Sequence, residues 1–122
     1  FLEDHQNILS AHMESGFTWD TQDKEQDKNK ANKTWFEAKK FLANPEISLV
    51  VLDEITYMIN YKYLDETDVL KALSNRPKDQ HVVITGRAAS QGLIDISDTV
   101  SEVDDIKHAF RANIRAQKGI DL

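Results

Sequence analysis

The chain has 122 residues, of which 40% are hydrophobic and 30% charged, with a formal net charge of -6. That is the size and composition of one globular domain; it excludes a largely disordered chain, and the acidic balance argues against a general nucleic-acid surface. No apolar run approaches the ~20 residues of a membrane span, and without cysteine neither disulfides nor thiolate metal sites form, which suits a cytoplasmic setting.

In chain order, Ile8-Leu9-Ser10-Ala11-His12-Met13 reads as a short strand. Glu14-Ser15-Gly16 breaks it, with Gly16 suited to a positive φ. Phe17-Thr18-Trp19 then puts two aromatics in a loop. Either they contact a ligand or they tuck under the loop as packing, and the residues alone leave both open. From Asp20, whose side chain suits an N-cap, to about Leu42 the pattern predicts a long helix. Its second half carries the stripe Ala31, Trp35, Ala38 and Leu42, a core face. Its first half, Thr21 through Lys30, has no apolar residue and is expected to be solvated. Asn44-Pro45 ends the helix, because proline disfavours helical geometry in the residue before it.

Ile47 to Leu52 is the next strand, and Leu49-Val50-Val51-Leu52 runs directly into Asp53-Glu54. A continuous apolar run predicts a strand buried on both faces. Ligands of open parallel α/β sheets bind beyond the carboxyl ends of the strands, so Asp53 and Glu54 stand at a candidate site mouth. Two carboxylates there suit Mg²⁺, a hard cation that bridges one or two carboxylates to phosphate oxygens, as on the magnesium-binding strand of P-loop proteins. The bland alternative is an acidic strand-to-loop junction without a ligand.

Tyr57, Met58, Ile59, Tyr61 and Tyr63 form an aromatic-rich connection. Asp65 starts a second helix with Val69, Leu70, Ala72 and Leu73 inward, closed by Asn75-Arg76-Pro77. His81 to Thr85 is a third strand, ending at Gly86-Arg87. An arginine after a strand end suits a phosphate or carboxylate, or else a surface salt bridge. Ser90 or Gln91 leads a short helix through Ile96, and the alternation over Thr99 to Val103 predicts a strand wet on one face. Lys107, Arg111, Arg115 and Lys118 form a basic cluster near the end, for phosphates or for solvent. The alternation of strands and helices predicts a single α/β domain over residues 1–122, a mostly parallel sheet with helices on both faces. The four histidines lack metal-ligand spacing, and no nucleophile-elbow motif occurs.

Taken together, several stretches resemble the P-loop-type ATP:corrinoid adenosyltransferases, also called cob(I)yrinic acid a,c-diamide adenosyltransferases. They are Gly16-Phe17-Thr18-Trp19-Asp20-Thr21-Gln22, Val50 through Tyr57, Ile84-Thr85-Gly86-Arg87, Asp98-Thr99-Val100-Ser101-Glu102, Lys107-His108-Ala109-Phe110 and Ala116-Gln117-Lys118-Gly119-Ile120-Asp121. The resemblance implies a RecA-like P-loop NTPase fold and transfer of the 5′-deoxyadenosyl group of ATP to the cobalt of a reduced corrinoid, cob(I)alamin or cob(I)yrinic acid a,c-diamide, with release of triphosphate. The cobalt is the nucleophile, so no catalytic side chain is expected. By the same resemblance Glu54 is a magnesium ligand beside the nucleotide, Asp53 assists directly or through a water, Arg87 meets phosphate, and Phe17 and Trp19 lie against the corrin. Mg²⁺, an electron-donating reductase such as a flavodoxin, and a homodimer are expected on the same basis, and neither nucleic acid nor membrane. The family's N-terminal strand and Gly-rich P-loop have no counterpart in these residues. The natural protein is therefore expected to be longer, with this chain as its C-terminal two-thirds. A P-loop ATPase and a non-catalytic corrinoid-binding module are the competing functions.

Overall fold

The computed structural model describes residues 7–10 and 24–107. Among them the elements run α1 (Lys24–Ala43), β1 (Leu49–Leu52), α2 (Ile55–Asn60), α3 (Glu66–Ser74), β2 (His81–Ile84) and α4 (Gln91–Ile96). β1 and β2 pair in parallel, with Leu49 opposite His81 and Leu52 opposite Ile84. The chain is thus α/β with a small parallel sheet, as expected.

Helix α1 buries Ala31, Trp35 and Leu42, and Ala38 is partly covered. The apolar stripe predicted this face. Of the half expected to be solvated, Thr21 to Asp23 lie outside the described residues, Lys24 to Asn29 are exposed except Asp27, which is only 4% exposed, and Lys30 is half-buried. Asp27 stands four residues before Ala31, one turn up the same inward stripe, so position on the helix overrides its polarity. The expected cap, Asp20, lies outside the described residues. At the other end the side chain of Asn44 accepts the backbone N–H of Glu46, which forms the turn into β1.

Trp35 carries the junction of α1 with α3. Its indole N–H donates to Asp68 Oδ2 at 2.8 Å, and Lys39 Nζ reaches the same oxygen at 3.1 Å. These two donors, the indole first, hold the Asp68 carboxyl below the usual carboxylate range. Asp65 caps α3 by accepting the Thr67 N–H, and Val69 and Leu73 point inward. Gln80 is buried, and its side-chain Nε2 lies within hydrogen-bond distance of the carbonyls of Phe41, Asn44 and Ile47, tying the α1–β1 connection to the start of β2.

Four expectations change. β1 is buried on one face only: Val50 and Leu52 are 5% and 8% exposed, whereas Leu49 and Val51 are 54% and 56% exposed. Among the described residues the helices cover that one face, not both. The aromatic connection contains α2, because Ile55 and Ile59, one turn apart, both bury into the core. Thr99 to Val103 forms no strand; it is exposed, Val103 at 95%. Of the first expected strand, Ile8, Leu9 and Ser10 are described and are not in a strand, while the rest lies outside the described residues.

Candidate functional site

The parallel pairing brings the carboxyl ends of β1 and β2 level, so Asp53 and Thr85 follow each other's neighbours Leu52 and Ile84. The Thr85 N–H extends the ladder by donating to Leu52 O at 3.2 Å. Its hydroxyl then donates to Asp53 Oδ1 at 2.5 Å and accepts the Glu54 N–H at 2.9 Å. One side chain of β2's end therefore holds both acidic residues of β1's end.

Glu54 has φ 58° and ψ 24°, the left-handed region, and it precedes α2 without a side-chain cap bond. For a residue with a Cβ this conformation costs about 1 kcal/mol or more. The sharp turn lets the chain leave the strand and enter α2 within one residue. Asp53 and Glu54 are both exposed, and no described cation pairs with either. Among the described residues no group of three or more histidine, aspartate or glutamate side chains is placed to hold a metal. A pair of exposed carboxylates, one with an oxygen already committed to Thr85, is the donor set of an ion that takes one or two carboxylates and completes its shell with water and phosphate. The residues present fit Mg²⁺ in that mode and do not make an all-protein cage.

The Arg87 loop is fixed from α2. Gly86 has φ 149°, and a Cβ there would run into Thr56 Oγ1. Thr56 is 2% exposed and its hydroxyl has no hydrogen-bond partner among the described residues. Asn60 Nδ2 donates to the carbonyls of Ala88 at 3.1 Å and Arg87 at 3.5 Å, and Ala88 is also left-handed at φ 51°. Farther along, Ser90 caps α4 and its hydroxyl also donates to Glu66. The Arg87 side chain is exposed on a backbone held at both sides. The structure thus brings Asp53, Glu54 and the Arg87 loop to one end of the sheet. Phe17 and Trp19 lie outside the described residues, as do Arg111, Arg115 and Lys118 of the basic cluster; Lys107 is described and exposed. Thr85 and Thr56 fall within stretches that carry the resemblance, but neither they nor Asn60 were given a role from the sequence, although a polar residue directly after the apolar run Val82-Val83-Ile84 was a usable signal for Thr85.

A parallel sheet with acidic and basic groups at its carboxyl end defines the α/β class whose ligands bind beyond the strand ends. The comparison with known proteins narrows this: the family model "ATP:corrinoid adenosyltransferase BtuR/CobO/CobP" matches residues 1–122, and the chain belongs to that family. It is 45% identical over 121 residues to the corrinoid adenosyltransferase of Escherichia coli K12, a match covering 94% of this chain and 62% of the relative. The corrinoid adenosyltransferase CobA of Salmonella typhimurium LT2 is 46% identical over the same shares. That of Pseudomonas aeruginosa is 48% identical over 110 residues, covering 90% of this chain and 54% of the relative. The chain therefore spans less than two-thirds of the length of these relatives. No described helix is long and apolar enough to cross a membrane.

Proposed function

We propose that the protein transfers the 5′-deoxyadenosyl group of ATP to the cobalt of a reduced corrinoid, releasing triphosphate. The observation that supports this most is the exposed Asp53–Glu54 pair at a parallel strand end in a chain matching the corrinoid adenosyltransferase family along its whole length. In this mechanism the protein binds and orients, and the nucleophile belongs to the corrinoid. Glu54 holds Mg²⁺, with Asp53 ligating directly or through a water; the ion, when bound, neutralises charge on the triphosphate leaving group. Arg87, on its pinned loop, binds a phosphate oxygen of the nucleotide. Phe17 and Trp19 lie against the corrin and exclude water from the cobalt face. The fold is of the RecA-like P-loop type, and the protein acts in the cytoplasm as a homodimer supplied with electrons by a flavodoxin-type reductase.

The test is to incubate the full-length protein with reduced cobalamin and MgATP. Adenosylcobalamin and triphosphate are expected. ADP and phosphate without adenosylation would identify an ATPase, and corrinoid binding indifferent to ATP would identify a non-catalytic binding module.

A further inference from the structure

We propose that Thr85 is the positioning residue of the acidic pair, the group that sets where Asp53 and Glu54 present their free oxygens. The inference rests on the reading of that pair as magnesium ligands. Three observations carry it. The Thr85 hydroxyl is used in both directions, donating to Asp53 Oδ1 and accepting the Glu54 N–H. The second of these bonds holds the amide of a residue in the left-handed conformation, which persists only where the surroundings over-determine it. Finally, the backbone around Thr85 is itself fixed, by the Leu52 carbonyl on one side and by Gly86 packed against Thr56 on the other.

The chemistry follows from the inventory of a hydroxyl. With its one proton on Asp53 Oδ1, Thr85 commits that oxygen and leaves Oδ2 as the oxygen open to a ligand. With a lone pair on the Glu54 N–H, it fixes the turn from which the Glu54 side chain projects. Groups that orient metal-binding carboxylates in this way change metal affinity by about 10–100-fold when removed.

Thr85 is exposed, so its replacement leaves the core untouched. The experiment titrates the full-length protein with Mn²⁺, an ion of similar oxygen preference, and reads free Mn²⁺ by its paramagnetic resonance. It compares the wild type with Thr85→Val, Thr85→Ala, Thr85→Ser and Glu54→Gln. The expected result is a dissociation constant raised about ten-fold or more in both hydroxyl-free variants and kept within about three-fold by Thr85→Ser. Amide hydrogen exchange at Glu54 is expected to accelerate in Thr85→Val and Thr85→Ala alone. Wild-type affinity in Thr85→Val or Thr85→Ala, or equal loss in Thr85→Ser, overturns the positioning role while the metal site stands. No Mn²⁺ binding by the wild type, or binding that Glu54→Gln leaves unchanged, overturns the metal reading and the positioning role with it.

Discussion

The two faces of β1 are made of the same residue types and live in different environments. Val50 and Leu52 sit under the helices, whereas Leu49 and Val51, with Val83 of β2, are about half exposed. An apolar side chain is thus no statement of burial by itself; what decides is whether another element covers that face. The covered face stabilises the fold, at about 1.5–3 kcal/mol per fully buried aliphatic side chain. The uncovered face leaves the strand ends to be fixed by polar contacts, and at Asp53, Glu54 and Thr85 those contacts belong to the candidate site.

The largest effect that would sharpen this contrast is expected from Leu52→Ala, a loss of about 3 kcal/mol in chemical denaturation. Val51→Thr, one residue away on the other face, is expected to change stability by less than about 0.5 kcal/mol. A loss at Val51 rivalling that at Leu52 would show that this face is covered in solution. Gly86→Ala should cost about 2 kcal/mol, since both its φ and the Thr56 side chain oppose a Cβ; thermal unfolding would check it.

Two smaller effects concern polar contacts. Glu54→Gly removes the left-handed penalty, so stability should hold or rise by up to about 1 kcal/mol while Mn²⁺ affinity falls. A loss of stability instead would mean that the Glu54 side chain supports the fold. Asp68→Asn should cost about 1 kcal/mol, the pair being partly screened by solvent. Because the folded-state pKa of Asp68 is depressed, its contribution is fully present above the unfolded value near 4 and is lost as pH falls through the lower folded value. Unfolding curves of wild type and variant should therefore converge in acid; parallel curves down to pH 2 would deny the depression.

Most of the framework was legible from pattern. The α1 stripe, the Asp65 cap, the Asn75-Arg76-Pro77 stop and the Ser90 cap are local signals whose physics acts within a turn or two. The same holds for the two apolar strands and for the placement of Asp53, Glu54 and Arg87 at their ends. What was not legible depends on neighbours distant in sequence. Ile55-Thr56-Tyr57-Met58-Ile59 is rich in strand-favouring residues, and only the turn at Glu54 and burial of both isoleucines make it helical. The alternation over Thr99 to Val103 meets no partner strand among the described residues, and alternation without pairing makes no sheet. The bond of Thr85 to Asp53 spans 32 positions in sequence, beyond any local pattern.

The buried amide of Gln80 has a consequence for where this chain tolerates a change in length. It touches three carbonyls across the α1–β1 connection and stands directly before the first paired residue of β2, so it works as a gauge block between two segments that would otherwise slide. Inserting one residue between Gln80 and His81 would force a choice between keeping the amide seated and keeping the strands aligned. A one-step slip exchanges the faces of a strand, and here it would also carry Thr85 away from Asp53. The single joint after Gln80 thus has no slack for an added residue.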